Sequence, residues 1–117
     1  MATQMSYARR GVATDEMKHV AKDEDVTLDW LLPKIANGSI IIPSNNVRPQ
    51  KIHNVGIGKG TKTKVNVNIG TSTLNVNVEE EIEKAKVAVK YHADTIMDLS
   101  DGGDVGSIRR TLLDTAP

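Results

Sequence analysis

The stretches Lys64-Val-Asn-Val-Asn-Ile-Gly-Thr-Ser72 and Ala93-Asp-Thr-Ile-Met-Asp-Leu-Ser-Asp-Gly-Gly103 decide the fold of this 117-residue chain. Each is a short run of alternating apolar residues that ends in a Gly, Ser or Thr loop, ahead of a helical pattern. A strand followed by a loop and a helix is half of a βα unit, and two in tandem predict parallel strands. In closed parallel barrels, active-site groups lie at the carboxyl ends of the strands. The two stretches therefore indicate part of an enzyme.

The composition limits the classes of function open to the chain. It has 15 basic and 15 acidic residues and no cysteine. A net charge of zero gives no electrostatic case for binding nucleic acid or an anionic membrane surface. The lack of cysteine excludes disulfides and any thiolate-held iron–sulfur site within these residues. Because no apolar run is long enough to cross a bilayer and no signal-peptide pattern opens the sequence, we expect a soluble, cytoplasmic protein.

The first half of the chain reads as partly helical and partly irregular. Residues 1–12 are polar and without a clear pattern, so we predict an irregular lead-in. Thr14 is typical of a helix N-cap, and a second helix is predicted to begin at Thr27. Residues 39–42 form a short apolar run that predicts a buried strand. The alternating glycines of residues 51–62 match neither a P-loop nor a dinucleotide fingerprint, so they predict a flexible connection.

The pattern alone leaves two alternatives for the segment after the first strand of the second half. Val65, Val67 and Ile69 alternate with asparagines, which gives that strand one apolar face and one amide face. Residues 74–78 alternate as well, which favours a β-hairpin across the Gly-Thr-Ser turn. The rival is a strand, a loop and a helix that starts near Val78, whose acidic start and basic end suit the helix dipole.

Several motifs, in this order along the chain, resemble the phosphomethylpyrimidine synthase family. Thr3-Gln-Met-Ser-Tyr-Ala-Arg9 is similar to the family's Thr-Gln-Met-His-Tyr-Ala-Arg opening, with Ser6 in place of the His. Ile41-Ile-Pro-Ser-Asn45 is similar to Ile-Ile-Pro-Ala-Asn. Lys64-Val-Asn-Val-Asn-Ile-Gly70 resembles Lys-Ile-Asn-Ala-Asn-Ile-Gly, and Ala93-Asp-Thr-Ile-Met-Asp-Leu-Ser100 resembles Ala-Asp-Thr-Val-Met-Asp-Leu-Ser.

The resemblance implies an α/β fold with two regions. Residues 1–62 would be an N-terminal helical and irregular region, and residues 63–117 the first two βα units of a truncated (β/α)8 barrel of TIM type. It also implies the strand–loop–helix alternative. The family is a radical S-adenosylmethionine lyase of thiamine biosynthesis that converts aminoimidazole ribotide to hydroxymethylpyrimidine phosphate. The complete enzyme would be a homodimer that uses a 4Fe-4S cluster, S-adenosylmethionine and zinc.

Two residues carry over from the family as substrate-binding candidates, Asn68 and Met97, at the tops of the first two strands. A carboxamide can bond to a neutral imidazole or ribose edge without adding charge, and Met offers a polarisable apolar contact to a flat ring. Strand alternation places Asp98 on the opposite face from Met97, so we leave it out of the site.

The resemblance implies that no catalytic or metal-binding residue of the family falls within this chain. We therefore expect the 117 residues alone to bind no cofactor and to be inactive. Two other hypotheses stay open: a non-catalytic remnant that binds ribotide or a partner half-barrel, and a plain α+β structural domain.

Overall fold

The computed structural model of the chain describes residues 2–45 and 52–116. The chain divides into two compact units, Met1–Thr63 and Lys64–Pro117. Unit 1 contains α1 (Gln4–Arg9), α2 (Asp15–Glu24), α3 (Leu28–Ala36), β1 (Ile40–Ile41) and β2 (Ile57–Gly58). Unit 2 contains β3 (Asn66–Ile69), α4 (Val78–Lys90), β4 (Thr95–Asp98) and α5 (Val105–Thr115). This mixture of helices and two small sheets confirms the α/β class.

Helix α1 shows that the prediction of an irregular lead-in was wrong. The Thr3 hydroxyl accepts the N–H of Ser6 at 3.2 Å, and the Ser6 hydroxyl accepts the N–H of Thr3 at 2.9 Å. This reciprocal capping box satisfies two N–H groups that a first turn otherwise leaves unpaired. A short helix therefore forms where the apolar pattern is weak, and it packs against α3.

Helices α2 and α3 confirm the predicted N-cap at Thr14 and the predicted start of the second helix at Thr27. The Thr14 hydroxyl accepts the N–H of Met17 at 3.3 Å, and the Thr27 hydroxyl accepts the N–H of Trp30 at 3.2 Å. Each bond satisfies one of the free N–H groups of a first turn. Helices α2 and α3 and strand β1 share one hydrophobic core. Its largest fully buried side chains are Met17, Val20, Leu31, Ile35 and Ile40.

Strand β1 confirms a strand within residues 39–42, although Ile40 is buried and Ile41 is 55% exposed, so the strand is not buried throughout. Strand β2 corrects the prediction of a flexible connection. Ile57–Gly58 pairs antiparallel with Ile40–Ile41. Gly58 has φ +152°, and a Cβ there would lie 2.1 Å from the carbonyl oxygen of Ser39. Only glycine allows this approach, so the glycine that indicates a loop in the sequence is what permits the strand. Residues 46–51, which include the first residue of the predicted connection, lie outside the described residues.

The β-hairpin alternative is wrong, because β3 pairs with β4 in parallel. Ser72 and Asn75 do form one antiparallel bridge, but the chain then enters α4 at Val78. Asn77 caps that helix by accepting the N–H of Glu80 at 3.2 Å. The order strand, loop, helix, strand, loop, helix is therefore confirmed for unit 2.

Helices α4 and α5 cover one face of the β3–β4 pair. Ile69 packs there with Ala85 of α4 and with Ile108 and Leu112 of α5, all at most 5% exposed. The opposite face carries the asparagines of β3, which lie exposed as the period-two pattern predicts. Among the described helices of both units, none combines the length and apolar character needed to cross a bilayer.

Candidate functional site

The structure places the two predicted site residues next to each other. Asn68 and Met97 are register partners in adjacent parallel strands, and each is the penultimate residue of its strand. Neighbouring strands lie about 4.8 Å apart, and register partners of a parallel pair direct their side chains to the same face. Asn68 is exposed and Met97 is 50% exposed. Together they form an open patch, the Asn68–Met97 patch, at the carboxyl end of the pair.

A ladder of side-chain hydrogen bonds orients the amide of this patch. The Thr95 hydroxyl donates to Oδ1 of Asn66 at 2.8 Å, and Nδ2 of Asn66 donates to Oδ1 of Asn68 at 2.9 Å. The second bond occupies the carbonyl oxygen of Asn68 and turns its NH₂ group away from Asn66. Asn68 is thus arranged to donate to an acceptor on a ligand. Sequence reasoning missed Thr95 and Asn66 as supporting residues, although the Asn-Val-Asn pattern places Asn66 on this face.

The loops after β3 and β4 bind each other just beyond the patch. Thr71, which is 3% exposed, donates its N–H to the Ser100 hydroxyl at 3.1 Å and its own hydroxyl to the Gly102 carbonyl at 2.7 Å. The N–H of Asp101 donates to the Thr71 carbonyl at 3.0 Å. A Cβ at Gly70 would lie 2.5 Å from the Ser100 nitrogen, so the two loops can meet only because residue 70 is glycine. These contacts join the ends of the two strands.

Asp98 lies on the helix-covered face, opposite Met97, as strand alternation predicts. Its side chain is 13% exposed, and its Oδ1 accepts the hydroxyl and the N–H of Ser100 at 2.5 and 2.9 Å. Nε of Arg109, on α5, donates to Oδ2 at 3.2 Å. Burial raises the pKa of Asp98, but the bonds from Ser100 and Arg109 outweigh it and hold that pKa below its ordinary value. The carboxylate is therefore ionised at neutral pH and anchors the loop, and it does not reach the patch.

A second buried carboxylate, Glu81 of α4, holds the end of β3. It is 4% exposed, and its Oε2 accepts the N–H of Gly70 at 2.7 Å. Its Oε1 accepts from Lys84 at 2.8 Å. The acidic run in the first turn of α4 suits the helix dipole, but that run does not indicate which carboxylate turns inward, so sequence reasoning did not identify Glu81.

The described residues do not fit a metal ion or an iron–sulfur cluster. Within residues 2–45 and 52–116, no three His, Cys, Asp or Glu side chains lie close enough together to hold a metal. The chain has no cysteine, whereas a 4Fe-4S cluster is held by thiolates. The patch itself presents an amide NH₂ group turned away from Asn66 beside a half-exposed thioether, which is an uncharged donor next to an apolar surface.

Comparison with known proteins shows how far the resemblance extends. The Radical SAM ThiC family matches residues 3–117. Phosphomethylpyrimidine synthase 1 of Methanothermobacter thermautotrophicus is 51% identical over 115 residues, which are 98% of this chain and 26% of that protein. The phosphomethylpyrimidine synthase of Pyrococcus furiosus is 54% identical over 111 residues, or 95% of this chain and 26% of its own length. That of Thermococcus kodakarensis is 51% identical over 111 residues, 95% of this chain and 26% of its length. The chain thus spans about a quarter of the length of these relatives.

Proposed function

We propose a function from one premise: the chain belongs to the Radical SAM ThiC family. It serves as the N-terminal part of a phosphomethylpyrimidine synthase, the lyase of thiamine biosynthesis that converts aminoimidazole ribotide to hydroxymethylpyrimidine phosphate. The observation that carries this proposal is the match of nearly the whole chain, at 51% identity, to the N-terminal quarter of such a synthase.

The proposed architecture is a helical and irregular N-terminal region at residues 1–62, followed at residues 63–117 by the first two βα units of a (β/α)8 barrel. Two features of unit 2 support it. The strands are parallel neighbours, and both helices pack on the same face of the pair. In a (β/α)8 barrel the helices form the outer ring, so the uncovered amide face would line the interior.

The proposed role of the Asn68–Met97 patch is to bind the ribotide. The NH₂ group of Asn68, turned away from Asn66, would donate to an imidazole nitrogen or a ribose oxygen. Met97, half-exposed beside it, would lie against the flat ring. Both side chains are uncharged, which suits a neutral ring because no desolvated charge has to be compensated on binding.

For the complete enzyme we include S-adenosylmethionine, a 4Fe-4S cluster, zinc, a homodimer and a cytoplasmic location in the proposal. The family's radical S-adenosylmethionine description supports the first two. The described residues fit neither the cluster nor zinc, so this chain contributes binding and orientation of the ribotide, and no radical step is assigned to it.

A second candidate function is the capture of a complementary half-barrel by a non-catalytic chain. It is favoured by a groove of about 600 Å³ along the outer edge of β3, beside α4. Val65, Val87 and Tyr91 line the groove and are each more than half exposed. The outer edge of β3 has no strand partner among the described residues, so a strand added there would pair with its backbone.

A chimaera tests the leading proposal. Residues 1–117 are joined to the remaining three-quarters of the Methanothermobacter thermautotrophicus synthase, reconstituted with its cluster, and assayed for conversion of aminoimidazole ribotide. We expect turnover by the chimaera and none by the 117 residues alone. Asn68→Ala and Met97→Ala should each raise KM for the ribotide about tenfold, the loss expected for one good contact.

The matched control is Val89→Ala, which truncates another half-exposed apolar side chain of unit 2, on α4 and outside both the patch and the groove beside β3. Its kinetics should equal those of the parent chimaera. An inactive chimaera, beside an active parental synthase in the same assay, would refute the leading proposal. Unchanged KM in both patch variants would refute the assignment of the patch.

A further inference from the structure

We propose that the Ser100 hydroxyl is a positioning group that sets the placement of Met97 relative to Asn68. The effect on the geometry of the chain stands by itself, while the consequence for ribotide binding rests on the proposed function. Ser100 lies outside the patch and touches neither of its two side chains through any bond in the structure. It acts through the loops that end the two strands.

The Ser100 hydroxyl bonds both to the end of β4 and to the loop that follows β3. It donates to Oδ1 of Asp98, the last residue of β4, at 2.5 Å. It accepts, at 3.1 Å, the N–H of Thr71, two residues beyond the end of β3. Asp98 is itself held by Arg109 of α5 at 3.2 Å. The result is a continuous line of bonds from α5, through the end of β4, to the loop after β3.

A hydroxyl suits this place because it can donate and accept at the same time. The bond to Asp98 is short and goes to a carboxylate, and such charge-assisted bonds are about twice as strong as neutral ones. The bond is also directional, so it holds Ser100 in one orientation relative to Asp98. Met97 and Asn68 lie within three residues of the two anchored positions, so a loss of this link should let the strand ends separate.

The neighbouring contacts provide the competing explanation. The buried bond from Thr71 to the Gly102 carbonyl also joins the two loops, as does the bond from the Asp101 N–H to Thr71. If those contacts were sufficient, removal of the Ser100 hydroxyl would leave the strand ends in place. The experiment must therefore report on the strand ends directly and without ligand.

The Leu99 amide is the appropriate reporter, because it donates to the Ile69 carbonyl at 2.7 Å and so forms the last rung between β3 and β4. In the 117-residue chain, amide hydrogen exchange is measured by NMR for the parent, Ser100→Ala and Ser100→Thr. We expect exchange at Leu99 to be about tenfold faster in Ser100→Ala, the ratio that the loss of one charge-assisted bond produces. Ser100→Thr keeps the hydroxyl and should restore the parental rate.

Asp94→Ala is the matched control. Asp94 makes the corresponding carboxylate bond at the other end of the same pair, where its Oδ2 accepts the N–H of Val65 at 2.7 Å. It should speed exchange at that end and leave the Leu99 amide unchanged. Equal rates at Leu99 in the parent and Ser100→Ala, or no rescue by threonine, would overturn the positioning role.

The chimaera then measures the consequence for binding. Ser100→Ala should raise KM for the ribotide about tenfold and change kcat much less, because the chain contributes binding only. Faster exchange at Leu99 with an unchanged KM would overturn the link to the patch. Failure of the parent chimaera to turn over would count against the proposed function, while the exchange rates would still decide the role of Ser100.

Discussion

Glu81 provides the sharpest test of how the end of β3 is held. Its carboxylate is almost fully buried and accepts the N–H of Gly70, whereas Glu80, one residue earlier in α4, has a side chain that is 47% exposed. Both carboxylates contact the same ammonium group, that of Lys84, at 2.8 and 3.0 Å. Substitution of each glutamate in turn therefore compares a buried and an exposed carboxylate that share one partner.

The expected magnitudes differ because the two carboxylates lose different contacts. Glu81→Ala removes a short bond from a backbone N–H to a buried charged group, which is worth roughly 1.5–3 kcal/mol, and leaves Gly70 without that acceptor. The intrinsic helix preference for alanine offsets only a few tenths of a kcal/mol. We expect a net loss of about 2 kcal/mol in the local stability of unit 2. Glu81→Gln keeps an acceptor oxygen and should lose about half as much, while Glu80→Ala should lose far less, because exposed ion pairs contribute little.

Native-state amide exchange across α4 measures these losses as local opening free energies. Added salt provides a second check, since it should weaken the exposed pair of Glu80 and leave the buried bond of Glu81 to Gly70 largely intact. The reasoning would be refuted if Glu81→Ala and Glu80→Ala produced equal losses, because burial would then have no bearing on the bond.

The other expected outcomes concern acid stability, core packing and backbone space. The folded pKa of Asp98 lies below its ordinary value of 3.8, so the stability that its carboxylate contributes is complete above that value and is lost as pH falls toward the folded pKa. In Asp98→Asn, the free energy of opening of unit 2, measured by amide exchange, should therefore depend less on pH over that range. Met17→Ala, at a side chain that is 0% exposed, should lower the free energy of unfolding by about 2–5 kcal/mol, measured by a urea titration followed by the fluorescence of the single tryptophan. Met97→Ala, at a half-exposed side chain, should lower the stability of unit 2 by under about 1 kcal/mol, measured by amide exchange. Gly102→Ala should destabilise unit 2 because the added Cβ would lie 2.3 Å from the carbonyl oxygen of Ser72. Gly106→Ala, inside α5 with no surrounding atom closer than 3.5 Å to the added Cβ, should stabilise unit 2 by about 0.5–1 kcal/mol. Amide exchange that showed Gly106→Ala to be the less stable of the two variants would contradict this placement of the backbone.

The sequence predicted those elements whose signals are local. Thr14 and Thr27 cap their helices because a β-hydroxyl can reach an N–H three residues on without help from the rest of the fold. Helix α1 was missed because its capping box uses Ser6 at the position where glutamate or glutamine is the usual signal. Strand β2 was missed because Gly58 is read as a loop residue until its partner strand is known.

The site was predictable only in part, for a related reason. The resemblance pointed to Asn68 and Met97, and the period-two pattern placed Asn68 on the polar face of β3. The residues that hold them, such as Thr95 and Ser100, act across strands, and their partners lie 29 residues away in the chain. No local pattern encodes a bond of that separation, so the supporting residues appear only once the register of β3 and β4 is known.

The face of β4 on which Met97 lies follows from the charge next to it rather than from its own polarity. In β4 and the residue after it, Met97 and Leu99 share one face while Ile96 and Asp98 share the other, so hydrophobicity alone would bury the methionine face. The structure does the reverse: Met97 and Leu99 are 50% and 56% exposed, and the side chain of Asp98 is 13% exposed. A buried carboxylate is tolerated only when it is paired and hydrogen-bonded, and Arg109 and the loop after β4 meet that condition on the helix side. A one-residue slip would exchange the two faces. The partners of Asp98 therefore keep Met97 and Leu99 on the face that the helices leave uncovered, at the carboxyl end of the strand.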